Sequence, residues 1–492
     1  MYNLSKRNSV HRTSAHKWVS TLNRKGVHPK IISKGETKMK KLFAILLAVL
    51  MVCTLFVGCA KTEAPEVETE TPAAESEAMQ KYGFDKLDII AFTGGNAGMY
   101  EELIELFKEY YPGVEVTADL SDDVANRVRA RMMTETPPDF VVSSGTEWSL
   151  RDAVEAGQIM DLTEFYETGV NADGVPLKDV IPETAMENAY VNDVMAGLPQ
   201  GTTYLGWWYN VNMFEELGIA PPTNWDELYA AAEVLKANDI IPFMYQFPSY
   251  GVWGLSYEMM TVTGGKDLYN QTYITLEPGA WTSEGALKAI KAQENLVKDG
   301  ILSPLSVGAD FAASQVDFVN GRIGMIPNGT WFENEMKESL PEGFQMAFIP
   351  FPALEEGGPR SVVLTGGTGG NIPVHCLNPE AAKAFYGVIL SDAGQAIIAK
   401  YGSMPISQTL DTELVKEVIS PTNLTALLAA QEEDVVAVYN VETYYSTLSK
   451  ELNSCNDDLC LGDITAEEYC ERMEAAAEEV RNDPEVTIQK AR

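Results

Sequence analysis

Seven Trp lie beyond residue 58, at positions 148, 207, 208, 225, 253, 281 and 331, and glycine recurs beside them in Gly206-Trp207-Trp208, Gly251-Val252-Trp253-Gly254 and Gly329-Thr330-Trp331. A flat ring with a glycine next to it gives a ligand close access to both the ring face and the backbone, which suits stacking against a sugar. The competing reading for each Trp is core packing, the usual fate of so large an apolar ring. Trp225 reads as core or helix-cap packing.

Other chemistry finds little support. His occurs at 11, 16, 28 and 375, three of them in the first 38 residues, so a His-rich metal site or a paired-His mechanism has almost nothing to draw on. There is no G-x-S-x-G. Gly264-Gly265-Lys266 lacks the P-loop pattern, with Met260 and Asp267 at its flanks. Thr365-Gly366-Gly367-Thr368-Gly369-Gly370 is glycine-rich, but it runs into Asn371-Ile372-Pro373-Val374, whereas a phosphate cradle opens a helix. A calcium-loop reading of 456–468 fails because Cys460 stands where an oxygen ligand belongs. Paired carboxylates are abundant but no pair is singled out. No enzyme activity, cofactor or metal is expected.

The 492 residues are 45% apolar and 22% charged, ordinary for a folded chain. Lys and Arg total 36 against 71 Asp and Glu, a net of −35, which argues against partners recognised by broad positive charge, such as nucleic acid. Residues 1–38 hold nine Lys or Arg and one acid, and read as upstream translation, with Met39 the start. Lys40-Lys41 and the 17-residue apolar run 42–58 have the layout of a signal peptide over 39–58. Phe56-Val57-Gly58-Cys59 is similar to a lipobox, with Cys59 as the lipidated residue; an ordinary secretory signal is the alternative. The segment 60–80 carries six Glu and five Ala with no large aromatic residue, so 59–84 is expected to be a lipid anchor and disordered acidic tether. Removing 1–58 leaves 25 basic and 70 acidic side chains, a net of −45, which favours a soluble monomer. Cys455 and Cys460 could pair in a loop before the last helix, or could be free thiols, as could Cys376 and Cys470.

Beyond the tether, apolar runs and helical spacing alternate. Strands are expected over 87–92, 114–118 and 139–142, with helices over 99–111 and 123–134 between them. Later come a strand at 205–209, a helix over 225–236 capped by Asn224, a helix over 282–298, strands at 322–326 and 344–349, and helices over 379–390 and 393–400. Thr465 and Glu468 form a capping box for a last helix. This alternation predicts an α/β fold.

Several stretches then resemble one family in order and spacing. Pro199-Gln200-Gly201 through Trp208-Tyr209-Asn210 and Met213-Phe214-Glu215-Glu216-Leu217-Gly218, then Pro221-Pro222-Thr223-Asn224-Trp225-Asp226-Glu227-Leu228, then Phe318-Val319-Asn320-Gly321-Arg322-Ile323-Gly324-Met325 to Trp331, then Asn378-Pro379-Glu380 and Tyr401-Gly402-Ser403-Met404-Pro405, resemble the extracellular solute-binding proteins of bacterial ABC sugar importers. The resemblance implies a two-lobed periplasmic-binding-protein-like fold of type II, with three hinge crossings near 200–204, 361–368 and 405–411. Lobe 1 would take 85–202 with 368–407, and lobe 2 would take 203–363 with 411–492. The ligand would sit in the cleft between them. Positions carried over by motif are Thr93, Gly94 and Asn96 after the first strand; Ser144, Thr146 and Glu147 after the third; Thr203 and Tyr204 on the first crossing; Gly366, Gly367 and Thr368 on the second; and Trp253 and Trp331, the last matching the family's stacking Trp. In the family's maltose-binding member a Trp follows the strand that here ends before Ser143, which argues against a maltodextrin-like ligand.

The implied role is capture of a mono- or oligosaccharide at the outer face of the cytoplasmic membrane and its delivery to transporter permease subunits by hinge closure. Alternatives are a polyol or glycerol-phosphate ester as ligand, or a sensing co-receptor of the same fold. None of the named loop positions is basic, which favours a neutral ligand.

Overall fold

The computed structural model of the chain describes residues 76–490 apart from 144–147, 245–248, 367–368, 411 and 442–443. Cys59, the leader and the first part of the tether lie outside the described residues.

The strand Lys86–Phe92 buries Leu87, Ile89, Ile90 and Ala91 in near-continuous succession. Such a run belongs in a parallel sheet covered on both faces. It lies between the strands Glu115–Ser121 and Phe140–Val142, both parallel to it, with Leu87 opposite Val116 and Ile90 opposite Val141. The helix Met99–Tyr110 covers one face through Leu103, Ile104 and Phe107. Two helices from far down the chain, Pro379–Ile389 and Asp392–Lys400, complete this core. Phe385 meets Phe107 and Phe140 edge-on at 5.6 and 5.1 Å.

The second core is built on the strand Gly201–Asn210. Among the described residues it sits in a seven-stranded sheet, antiparallel to Ile323–Gly329, Arg360–Thr365, Met346–Ile349 and the short Met404–Pro405. Trp207, Trp208 and Trp281 are fully buried here, and each indole N–H has a carbonyl partner: Gly254, Asn328 and Thr272 respectively. For these three, core packing is the correct reading. Asn224 caps Trp225–Ala237, accepting from the Glu227 N–H at 3.1 Å. The helices Ser446–Leu461 and Ala466–Asn482 close the core, the latter with its capping box formed.

Core membership switches between Leu198 and Leu205, between Val363 and Ile372, and between Ile406 and Ala426. The first two crossings approach closely. Gly369 has φ of +73°, and a Cβ there would stand 2.0 Å from the Leu198 carbonyl oxygen, so only glycine fits.

Two expectations need correction. The tether was expected to remain disordered through residue 84, but Ser76 caps a helix over Glu77–Tyr82, and Ala78 and Phe84 are buried in the first core. The Ser76 side chain accepts from the Met79 N–H, while Phe84 stacks near Phe107 at 6.5 Å. A cap and one aromatic anchor outweigh the polar composition. The segment holding Cys455 and Cys460 is helix rather than loop, and Cys376, Cys455, Cys460 and Cys470 are all free. Burial pushes the Cys460 and Cys470 thiols up to about 12, so they pack as small apolar groups.

Candidate functional site: the cleft between the lobes

A cleft with a volume of about 1270 Å³ is lined from both lobes. The first lobe contributes the turn after Lys86–Phe92, the end of Glu115–Ser121 and the segment after Phe140–Val142. The second contributes the turn after Ile323–Gly329 and the segment around Tyr250 and Phe311. Phe92, Trp148, Tyr250, Phe311 and Trp331 supply aromatic surface on both sides. The polar complement includes Thr93, Asn96, Ser143, Gln200, Thr203 and Asn334.

Thr93, Gly94, Asn96, Thr203, Trp331 and Gly366 of the sequence-predicted positions line this cleft. The turn after the first strand is fixed by its own backbone: the Asn96 N–H donates to the Thr93 carbonyl and the Thr93 N–H to Ser121, both at 3.0 Å. With its amide oriented to suit its neighbours, Asn96 donates to the Tyr401 carbonyl at 3.0 Å. Ser144, Thr146, Glu147, Gly367 and Thr368 lie outside the described residues.

Trp331 is seated by two glycines. A Cβ at Gly329 would lie 2.3 Å from Trp331 Cζ3, and one at Gly95, where φ is +76°, would lie 3.0 Å from Trp331 Cγ. Gly329, two residues before this Trp, thus makes room for its ring, and the glycine opposite lets the first lobe's backbone approach it.

Two predicted positions are placed differently. Tyr204 is not among the lining residues; it pairs with Leu364 in the sheet, packs on the second core, and its burial raises the phenol pKa. Trp253 is 5% exposed and also sits behind the wall. Its ring meets Tyr250 at 4.3 Å and the Trp331 edge at 6.5 Å, so it buttresses two residues that do line the cleft. The strand period puts Tyr204 on the face opposite Thr203, and the helical turns around Trp253 bury it.

Sequence reading missed Trp148, Tyr250, Phe311, Gln200, Ser143 and the acidic edge. Trp148 follows directly on positions that were singled out and could have been found. Asp122, Glu335 and Glu338 line the cleft, with Lys337 the cation among the lining residues. A basic residue therefore does reach the cleft, contrary to the reading of the loops alone, but it is outnumbered by acids. Glu335 accepts from Gln315 Nε2 at 2.7 Å, and its partial burial holds its pKa above the usual carboxylate value.

Two α/β lobes, three crossings and an aromatic-lined cleft at the strand ends are the architecture of a two-lobed solute-binding protein. Comparison with known proteins agrees. The chain belongs to the bacterial extracellular solute-binding protein family, whose sequence pattern matches residues 93–396. It is 23% identical over 472 residues to the diacetylchitobiose binding protein NgcE of Streptomyces coelicolor, covering 92% of this chain and 98% of that one. It is 24% identical over 263 residues to the multiple sugar-binding protein of Streptococcus mutans, covering 52% of this chain and 60% of that one. Among solved structures, a chitin oligosaccharide binding protein superposes with a TM-score of 0.61 at 22% identity, over 80% of this chain and 98% of that one. Maltose-bound MalE3 of T. maritima superposes with a TM-score of 0.61 at 20% identity, over 80% and 99%. At these identities the structural likeness establishes the fold.

Proposed function

We propose that this protein captures a carbohydrate of more than one sugar unit in its cleft and hands it to the permease of an ABC importer. The observation that carries the reading is the set of aromatic residues that line one large cleft from both lobes. Phe92 and Trp148 line it from the first lobe, and Tyr250, Phe311 and Trp331 from the second. Sugar rings present apolar C–H faces to such platforms and hydroxyls to the polar groups between them. A cavity of about 1270 Å³ exceeds the roughly 300–1,000 Å³ of ordinary small-molecule pockets, which favours an oligosaccharide over a single ring. The sugars bound by the named relatives point the same way, and the chitin-type sugars among them make β-linked N-acetylhexosamines the first class to try.

Capture proceeds by closure about the three crossings, so the ligand contacts both lobes only in the closed form. The chain acts outside the cytoplasmic membrane, held there by lipid on Cys59 and the acidic segment that follows, as a monomer. A glycerol-phosphate ester is the weaker ligand, because a phosphate would face Asp122, Glu335 and Glu338 against Lys337 alone.

A thermal-shift screen of the purified protein against chito-, cello- and malto-oligosaccharides, polyols and phosphate esters tests this. A ligand at about 100 times its Kd adds roughly 2.7 kcal/mol of stability, a shift of several degrees. Stabilisation by one oligosaccharide series is the expected result. Stabilisation by polyols or phosphate esters alone overturns the carbohydrate reading.

A further inference from the structure

Trp331 and Glu335 stand one helical turn apart, at the cap and in the body of the short helix Phe332–Met336. The Glu335 N–H donates to the Trp331 carbonyl at 3.0 Å, so the turn is closed and the two side chains share a face. Phe332 and Met336 turn the other way and are buried in the second core. Trp331 and Glu335 both line the cleft.

The Glu335 carboxyl is held at one end and open at the other. Its Oε2 accepts from Gln315 Nε2 at 2.7 Å. Gln315 is 2% exposed and sits on the helix Phe311–Val319, one turn after Phe311, which also lines the cleft. The other oxygen, Oε1, meets no protein donor among the described residues, and it is not one of the unpartnered atoms sealed from solvent. Glu335 as a whole is only partly buried. Lys337, the cation among the lining residues, reaches Asn334 Oδ1 at 3.4 Å and forms no ion pair with Glu335 among the described residues. The second lobe therefore offers the ligand an acceptor that is fixed in orientation, accessible and not neutralised by a cation.

A pyranose stacked on an indole turns its C–H face to the ring and directs its equatorial hydroxyls outward around its rim. A carboxylate one turn along from the indole meets that rim. A hydroxyl donating to a charged oxygen makes a hydrogen bond roughly twice as strong as a neutral pair. We propose that Glu335 is a specificity-determining residue of this cleft, its Oε1 accepting from a hydroxyl on the rim of the sugar ring that stacks on Trp331. The inference rests on the carbohydrate reading. The platform selects a flat apolar face, and the carboxylate selects a ring that carries a hydrogen to donate at its edge, rejecting one that offers only an acceptor there.

Calorimetric titration of the purified protein with N,N′-diacetylchitobiose and with cellobiose tests the assignment. Four proteins are compared: wild type, Glu335→Gln, Trp331→Ala and the double variant, with melting temperatures measured in parallel. Glu335→Gln keeps the shape. Its one side-chain oxygen satisfies Gln315 Nε2, which turns an N–H₂ toward the ligand in place of the acceptor. The expected result is that Glu335→Gln weakens the better-bound disaccharide by roughly 10- to 100-fold and leaves the melting temperature of the free protein unchanged. The double variant should lose less than the product of the two single losses, because both residues act on one sugar ring. Wild-type affinity in Glu335→Gln overturns the proposal outright. Single losses that multiply in full place Glu335 and Trp331 on separate parts of the ligand and overturn the pairing. Failure of the wild type to bind either disaccharide is a different result: it removes the β-linked class under test, and the Glu335 assignment with it.

Discussion

Asn334 Nδ2 donates to the Gly95 carbonyl at 2.8 Å, joining the second lobe to the first between two residues that both line the cleft. The same glycine lies against the Trp331 ring. The two lobes thus touch directly at one place where a ligand also has to be enclosed. Under the proposed hinge closure, a contact between the lobes is made on closing and lost on opening, and it shifts that equilibrium by its own small free energy.

Asn334→Ala should therefore open the ligand-free protein and weaken ligand binding by a few-fold, the loss expected for one neutral hydrogen bond. Small-angle scattering of the ligand-free protein should report a larger radius of gyration for the variant. An unchanged radius with unchanged affinity would show that the contact does not govern closure. Gly95→Ala is expected to do more, since its added Cβ meets Trp331 and alanine at positive φ costs about 1–2 kcal/mol.

Gln395 couples two of the crossings. Its Nε2 donates to the carbonyls of Gln200 and Ile389, both at 2.9 Å, and its Oε1 accepts from the Ile406 N–H at 2.8 Å. The side chain is fully buried. Gln395→Leu keeps the bulk and strands these backbone groups, each at a cost of about 1–3 kcal/mol. The expected loss in urea unfolding is on the order of 3 kcal/mol, among the larger single-residue effects. A loss below about 1 kcal/mol would mean that water replaces the amide and that the crossings are not tied through it.

Glu258 is fully buried in the second lobe, and neither carboxylate oxygen meets a hydrogen-bond partner among the described residues. Desolvation raises its pKa well above the usual carboxylate value, so the folded protein holds the proton that the unfolded chain releases. Stability contributed this way is fully present below the unfolded carboxylate pKa and is lost as pH rises toward the folded one. Glu258→Gln removes the titration. The melting temperature of the variant relative to wild type should therefore rise steadily between about pH 5 and about pH 8. A constant difference across that range would show that the carboxyl is solvated or ion-paired in solution.

The elements that position the cleft were readable from the periodicity of the helices and the short apolar runs of the strands. Met99 to Tyr110 and Trp225 to Ala237 repeat with the helical period, and Leu87 to Phe92 is the short apolar run of a strand covered on both faces. The turn at Thr93–Asn96 was expected from the strand end before it, and Trp331 from the family resemblance together with the glycine near it in sequence. What escaped was set by distant parts of the chain. Gln200 looks like any hinge residue until Tyr100 and Gly369 are seen to confine it, and Trp253 looks like a platform until Tyr250 and Trp331 are found in front of it. The helix Glu77–Tyr82 was missed for the same reason: composition described the tether, while a single buried ring, Phe84, decides where it ends.

Trp331 and Trp253 provide the sharpest contrast between lining the cleft and supporting it. Trp331 is partly exposed in the cleft wall, whereas Trp253 is buried behind it, with ring centroids 6.5 Å apart. Trp331→Ala removes a stacking surface from the ligand while leaving the second core intact, so affinity for the best oligosaccharide should fall by about 30-fold, equivalent to roughly 2 kcal/mol. The melting temperature without ligand should move little. Trp253→Ala opens a cavity in the core and should cost about 3–5 kcal/mol of stability. Its effect on affinity should be indirect, through loosening of Tyr250 and Trp331, and smaller than that of Trp331→Ala when measured well below the melting temperature. Calorimetry and thermal unfolding on the two variants side by side separate these roles. If Trp253→Ala abolishes binding while the fold keeps its stability, Trp253 reaches the ligand itself, and the wall lies one residue deeper than the structure places it.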